Sequence, residues 1–156
     1  MENKCPMCKS IKQIITNDDP FFVIELQSGY VVVCHHQYYK GYLLFINKKH
    51  KNELHDLAIS ERNVYLLEMS LVAEAVHKAF NPKKINYELL GNTASHLHWH
   101  IIPRYEDDIN PLEPIWNTDP KLRNAEKYRP STKEIEAIKN KFLVAYQSII
   151  KSEDIN

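Results

Sequence analysis

The sequence lacks the features that would mark a membrane, secreted or nucleic-acid-binding protein. Its 156 residues contain no apolar run near the roughly 18 residues of a membrane span, and residues 1–5 are polar where a signal peptide begins. Twenty Lys and Arg residues balance twenty Asp and Glu residues. A formal net charge of +0 excludes a broad basic surface for nucleic acid. We therefore expect a cytoplasmic protein that binds neither membrane nor nucleic acid.

Cysteine is also scarce. The chain has three cysteines, which are too few and odd in number for a disulfide framework. Cys5 and Cys8 form a Cys-x-x-Cys pair, and in an intracellular chain this spacing indicates either a metal site or redox chemistry. Cys34 lies in an apolar run and is expected to be a small buried side chain.

The sequence contains no internal repeat, low-complexity tract or long linker. Its length is that of a single domain, and 44% hydrophobic with 26% charged residues is an ordinary globular balance. Runs rich in β-branched and aromatic residues alternate with amphipathic stretches, which predicts an α+β fold with a mainly antiparallel sheet. The predicted elements are a hairpin over 20–34, a central strand over 41–46, a short helical stretch at 53–57, a long helix over 60–80 capped by Ser60, strands over 85–90 and 97–102 with the second stopping at Pro103, and a C-terminal helix opened by a capping box at 131–134.

The stretch from His96 to Ile102 is the most informative part of the chain. Because a strand repeats every two residues, His96, His98 and His100 are expected to share one face, with the apolar Trp99 on the other. A polar solvent face would account for this pattern, and so would a metal site made by the three imidazoles. The third interpretation is phosphoryl or nucleotidyl transfer, in which one imidazole attacks phosphorus while its neighbours hold the phosphate oxygens.

These residues resemble the signature of the histidine-triad (HIT) superfamily. The string His-φ-His-φ-His-φ-φ at 96–102 is followed by Pro103 and Arg104, as in the bacterial nucleotide hydrolases of this group, which include enzymes similar to diadenosine polyphosphate hydrolases. Upstream, residues 41–50 resemble the family strand that ends in Pro-Lys-x-His, with Asn47 in place of the proline. The resemblance covers roughly residues 3–116. It implies a HIT domain over 1–116 with an N-terminal Cys-x-x-Cys knuckle, and a C-terminal loop and helix over 117–156 packed on the same domain.

The resemblance also implies a mechanism. His98 is the expected nucleophile, which attacks the α-phosphorus of a dinucleoside polyphosphate or nucleoside phosphoramidate to form a nucleotidyl-histidine, and water then releases a nucleoside monophosphate. His100 is expected to be catalytic and to contact the same phosphate. Asn92 and Ser95 are candidate substrate-binding residues that donate hydrogen bonds to it. The acidic residue that often binds ribose in the family would fall near Cys34, so the base and sugar preference is not carried over.

The resemblance further implies a structural zinc site and a homodimer. In members with the knuckle, the remaining ligands correspond to His50 and His96, which gives a Cys₂His₂ set with Cys5 and Cys8. HIT domains usually pair across a two-fold axis. Trp116 is expected either to fold over the site or to pack at a dimer interface, and three tyrosines are expected either to stack a base or to cover an apolar edge: Tyr38, Tyr39 and Tyr42.

Two other classes of function compete with the hydrolase. A nucleotide-binding regulatory or scaffold protein would keep the fold with little turnover, but an intact His98 favours an enzyme, because a binder needs no nucleophile. A metal-dependent hydrolase would use His96, His98 and His100 as ligands. No carboxylate closely follows these histidines, and Arg104 brings a positive charge instead.

Overall fold

The computed structural model describes residues 4–153 as a five-stranded antiparallel sheet with helices on both faces. The strand order is β1-β2-β3-β5-β4, and every neighbouring pair is antiparallel. The α+β prediction with a mainly antiparallel sheet is therefore confirmed. The elements are α1 (Pro6–Ile15), β1 (Phe22–Glu25), β2 (Gly29–Val33), β3 (Leu43–Asn47), α2 (Ile59–Phe80), β4 (Lys84–Leu89), β5 (His98–Arg104), α3 (Pro120–Arg123) and α4 (Thr132–Glu153), with single 3₁₀ turns at Leu54–Asp56, Ile115–Asn117 and Glu126–Tyr128.

The main core lies between one face of the sheet and the pair of long helices, α2 and α4. Alternate residues of the central strands point into it, so that Leu43 and Phe45 are fully buried, and the Phe45 ring stacks on Tyr65 of α2. Helix α2 begins one residue before the predicted cap, since its N-cap residue is Ala58, and it ends at Asn81 in the left-handed conformation. The predicted short helix at 53–57 is a single 3₁₀ turn.

The opposite face of the sheet is covered by α1, which the sequence patterns above do not predict. Ile11 and Ile14 of this helix pack against Tyr30, Val32 and Ile46. Cys5 is the N-cap residue of α1, and its sulfur accepts a hydrogen bond from the backbone N–H of Cys8 at 3.5 Å. The first helix therefore carries the Cys-x-x-Cys pair to the face of the sheet that lies away from the long helices.

Strand β5 does not stop at Pro103 as predicted but continues to Arg104. Pro103 pairs with Ile85 of β4, whereas the pairing of β5 with β3 ends at Ile101. The Arg104 carbonyl accepts from Lys83 N–H on the β4 side, so the Pro103 nitrogen faces the other side, beyond the end of β3. A strand tolerates proline where no ladder donor is needed, and the sheet offers that position here.

The segment between β5 and α4 folds back onto the face that carries α1. Ile115 is buried with Tyr39, Tyr42 and Ile102 in a small separate core. No helix within residues 4–153 combines the length and apolar character that crossing a membrane requires.

Candidate functional site

The histidines at 98 and 100 lie on the sheet face opposite the main core. In the register of β3 with β5, His98 pairs with Ile46 and His100 pairs with Leu44, and cross-strand partners share a face. Leu97 and Ile101 point the other way, into the main core. The predicted alternation therefore holds for the two histidines of the strand, while His96 lies just before β5 begins.

A backbone carbonyl fixes the tautomer of His98. Its Nδ1 lies 2.5 Å from the carbonyl oxygen of His96. Because a carbonyl oxygen only accepts, Nδ1 carries the hydrogen and donates it. In the neutral ring, Nε2 then keeps its lone pair, so the strand itself holds a nucleophilic nitrogen on the face opposite the main core.

This tautomer determines the direction of every hydrogen bond in the chain of groups that follows. The Nε2 atoms of His98 and His100 are 3.1 Å apart, so His100 Nε2 must be the donor. Its Nδ1 is then an acceptor, and the partner of that atom is the Tyr42 hydroxyl. The proton order therefore runs from Tyr42 to His100 to His98 to the His96 carbonyl, with one donor and one acceptor at each step.

Burial keeps this chain of groups uncharged. Burial lowers the pKa of His98, and the hydrogen bond to the His96 carbonyl offsets this only in part. The pKa of His100 is lowered to about 3, first by burial, then by repulsion from His98 when that ring is protonated, and then by the positive charge of Arg123. Burial also raises the pKa of the Tyr42 hydroxyl far above its ordinary value. At neutral pH the site therefore holds two neutral imidazoles and a protonated phenol.

The imidazole of His96 belongs to a different cluster. Its Nδ1 lies 3.6 Å from Cys5 Sγ and 3.5 Å from Cys8 Sγ, and His50 Nδ1 lies 3.3 Å from Cys8 Sγ. These four side chains form the only group of three or more His, Cys, Asp or Glu residues within 4–153 whose ligand atoms lie close enough for one metal ion, all within 4.8 Å of one another. His96 is thereby separated from the pair at 98 and 100.

The geometry of the cluster fits a tetrahedral Cys₂His₂ centre. With bonds of about 2.3 Å to sulfur and 2.0–2.1 Å to nitrogen, a tetrahedral centre places sulfur and nitrogen ligands roughly 3.6 Å apart. The three measured separations, 3.6, 3.5 and 3.3 Å, are close to that value. His96 Nε2 donates to the Asn47 carbonyl at 2.8 Å, which leaves Nδ1 free of hydrogen and directed at the sulfurs, as a metal ligand requires.

Asn47, which stands where the resemblance expects proline, makes a backbone hydrogen bond in addition to the one with His96. Its backbone N–H donates to the Leu97 carbonyl at 3.0 Å, a bond that proline cannot form. The asparagine therefore extends the pairing of β3 towards His96, while its own carbonyl orients the His96 ring.

The candidate substrate-binding residues Asn92 and Ser95 lie in the turn between β4 and β5. Both are exposed. Within residues 4–153 neither side chain hydrogen-bonds to another group of the protein, so both are available to an added molecule. Their assignment to substrate stays a prediction.

Two aromatic residues, for each of which the sequence allows two interpretations, contact His100. Tyr42 lies in the small core with Tyr39, Ile102 and Ile115, and its hydroxyl hydrogen-bonds to His100. The Trp116 ring meets the His100 ring edge to face, with centroids 5.6 Å apart, and its Nε1–H donates to the carboxylate of Glu88 on β4. Trp116 therefore folds over the site within one chain. Cys34, which is half-buried against the small core that contains Tyr42, has its pKa raised by burial to about 11, so this thiol is protonated.

The chain belongs to the HIT domain family, whose sequence profile matches residues 16–107. The resemblance seen in the sequence is thereby confirmed. At the level of the family and its relatives, the match supports a nucleotide hydrolase.

Relatives and solved structures agree with this membership. A bis(5'-adenosyl)-triphosphatase of Dictyostelium discoideum is 27% identical over 126 residues, which cover 78% of this chain and 83% of that protein. The crystal structure of a histidine triad protein from Sinorhizobium meliloti 1021 has a TM-score of 0.72 at 23% identity, covering 80% of this chain and 88% of that one. A Zn-bound histidine triad family protein from Mycobacterium smegmatis has a TM-score of 0.65 at 15% identity, covering 95% and 99%. At these identities the two structures show the fold alone.

Proposed function

We propose that this protein hydrolyses a nucleotide at its α-phosphate through a nucleotidyl intermediate on His98. The observation that carries the proposal is the hydrogen bond from His98 Nδ1 to the His96 carbonyl, which leaves Nε2 with a lone pair. The substrate is a dinucleoside polyphosphate or a nucleoside phosphoramidate. The diadenosine triphosphatase relative favours the first of these.

The reaction takes two displacements at phosphorus. In the first, the Nε2 lone pair forms a bond to the α-phosphorus, and the bond to the leaving group breaks with its electron pair, so that a phosphate leaves as the anion and an amine leaves after taking a proton from solvent. In the second, a water oxygen attacks the same phosphorus and its proton passes to solvent, the N–P bond breaks and returns its electron pair to Nε2, and a nucleoside monophosphate leaves. His100 Nε2–H, which donates to His98 in the resting site, donates to a phosphate oxygen when substrate is bound and stabilises its growing charge. Asn92 and Ser95 are proposed to add donors from the turn before the strand.

Product analysis tests the activity. The panel is diadenosine triphosphate, diadenosine tetraphosphate, adenosine phosphoramidate and an adenylyl-lysine analogue, and we expect AMP as a common product. His98→Asn should fold and bind nucleotide but lose turnover by several orders of magnitude, because an amide nitrogen has no free lone pair. His100→Asn should lose about 10²–10³ in rate as one donor is removed. His55→Asn is the control, since His55 is exposed on the 3₁₀ turn.

The position of the covalent adduct is the sharper measurement. Mass spectrometry after an acid-free quench should find the adenylate on His98. An adduct on any other residue would refute the assignment of the nucleophile. Binding of the panel without release of AMP would instead favour the alternative, a nucleotide-binding regulatory or scaffold protein.

We also propose that Cys5, Cys8, His50 and His96 hold one structural zinc ion. Thiolate and imidazole ligands with no open position suit a closed Zn²⁺ site, and the sulfur–nitrogen separations support it. When bound, the ion would cross-link the start of α1 to the residue before β5 and take no part in the displacement. Elemental analysis of protein that has never been exposed to a chelator should find about one zinc per chain.

The remaining proposals concern assembly and location. β4 is an edge strand of the sheet, and we propose that two chains pair there across a two-fold axis to form a homodimer in the cytoplasm. Residues 1–116 are proposed to form the HIT domain, with 117–156 packed on it. Light scattering during size-exclusion chromatography should give twice the mass of one chain.

A further inference from the structure

A positive charge from the C-terminal part of the chain lies beside the histidine pair. Arg123 is the last residue of α3, and its guanidinium carbon lies 4.6 Å from the ring centroid of Trp116. The same indole contacts His100 on one side and is hydrogen-bonded to Glu88 of β4. The arginine is therefore held at the rim of the site by an indole that is itself anchored to the sheet.

Arg123 has no counter-charge. Within residues 4–153 no carboxylate lies within ion-pair distance of its guanidinium, and its Nε is buried without a hydrogen-bond partner. Part of a charged group is thus removed from water with the face of Trp116 beside it but no hydrogen-bond acceptor for Nε, which costs free energy. A buried polar group without a partner calls for a specific explanation.

Arg104 is an arginine with a structural role in the same chain. Its side chain is buried, and its Nε donates to Asp108 at 2.7 Å. Its Nη atoms donate to Asn86 Oδ1 and to the carbonyls of Asn110 and Glu113. These bonds hold the segment that follows β5. Arg123 makes none of this kind, so its fork of donors is available to a ligand.

The charge of Arg123 acts on the site. After burial and His98, it contributes to the low pKa of His100. It also offsets a small part of the rise that burial causes in the pKa of Tyr42 and of Cys34. His100 is itself neutral, so it offers a hydrogen bond but no charge to an anion. A nucleoside polyphosphate brings at least one further negative phosphate beyond the one attacked. A planar guanidinium matches phosphate oxygens in charge and geometry.

We propose that Arg123 binds the phosphate next to the one that His98 attacks, which makes the site selective for nucleoside polyphosphates over phosphoramidates. The inference rests on the proposed function, because it assumes that the α-phosphate lies at His98. It adds a specificity-determining residue outside residues 16–107, the part that matches the family profile.

Binding of ADP and AMP to the non-hydrolysing His98→Asn protein tests this inference. By titration calorimetry, we expect ADP to bind at least about tenfold more tightly than AMP, which is the contribution of one charge-assisted contact. Adding Arg123→Gln should abolish that preference and change AMP binding less than about twofold. Arg129→Gln is the matched control, since it removes the same charge from an exposed position and should keep the preference.

Arg123→Met is measured in parallel, because it keeps an apolar stem against Trp116 and decides the question if the glutamine variant does not fold. Equal loss of AMP and ADP binding, or an unchanged ADP preference in both Arg123 variants, would overturn the inference. Hydrolysis by the wild-type protein is assayed separately. If it cleaves none of the panel while Arg123 variants lose their ADP preference, the proposed hydrolysis fails and Arg123 is shown only to bind the second phosphate of a nucleotide. If it cleaves the panel and the preference is insensitive to Arg123, only this inference fails.

Discussion

Replacing Tyr42 by phenylalanine removes the hydrogen-bond donor to His100 Nδ1 and almost nothing else. The ring is 8% exposed and packs with Tyr39, Ile102 and Ile115, and phenylalanine fills the same space. The hydroxyl is what orders His100, because its hydrogen bond to Nδ1 selects the tautomer whose Nε2–H faces His98. Without it, the buried Nδ1 loses its partner.

Two effects follow from that loss. Leaving a buried acceptor unpaired costs about 1–3 kcal/mol, so we expect the free energy of unfolding in urea to fall by about that amount. His100 also becomes free to carry its hydrogen on Nδ1, which turns Nε2 into an acceptor that repels a phosphate oxygen. If restoring the productive tautomer costs about 1.4 kcal/mol, kcat/KM falls about tenfold.

The assay is steady-state release of AMP from diadenosine triphosphate, with Tyr39→Phe as the control. Tyr39 is 3% exposed and its hydroxyl hydrogen-bonds to Thr118 at 2.9 Å, so the same deletion is made in the same small core but outside the histidine chain. Tyr39→Phe should lose stability and keep its kcat/KM. Full activity in Tyr42→Phe, or an equal loss in Tyr39→Phe, would show that the proton order deduced here has no role in turnover.

Three further predictions concern His100, Cys8 and Arg104. Because the pKa of His100 is about 3 in the folded chain and near 6.5 when unfolded, the unfolded chain binds the extra proton between those values. Stability should therefore fall by about 1 kcal/mol from pH 7 to pH 5.5, and urea unfolding of His100→Gln should show a smaller loss. Cys8→Ser should lower the melting temperature more than it lowers turnover, and a chelator should lower the melting temperature of the wild type but not of the variant. Arg104→Lys should reduce the free energy of unfolding by about 2–4 kcal/mol, since an ammonium cannot satisfy four separated acceptors; an unchanged urea midpoint would contradict this.

Local pattern was sufficient for the sheet and for the position of the histidines. Alternation along 97–101 identified the buried face of β5, and the apolar character of 43–46 identified the central strand. The extension of β5 past Pro103 could not be predicted, because it depends on where β3 stops pairing. The start of α2 at Ile59 was missed for a related reason: Ser60 is a good cap by type, but Glu61 reaches back to the Ala58 N–H instead.

The candidate site likewise contains residues that the sequence predicts and residues that it does not. The four candidate metal ligands follow from a spacing and a family position, and the structure brings their side chains together. The role of Tyr42 as a donor to His100, and the place of Arg123 beside Trp116, arise from contacts between residues far apart in the chain. No periodicity in a single sequence indicates such contacts. Asn92 and Ser95 depend on a substrate and stay predictions.

His96 contributes to two centres through two different parts of the residue. Its side chain faces the cysteines, whereas its main-chain carbonyl sets the tautomer of His98. Substitution changes only the first of these, because every amino acid supplies a carbonyl. A scan of side-chain substitutions would therefore detect the part of His96 in the cysteine cluster and miss the part of its carbonyl in setting the tautomer of His98. Replacing the peptide bond after it by an ester, which weakens the carbonyl as an acceptor, is the change that would reach it.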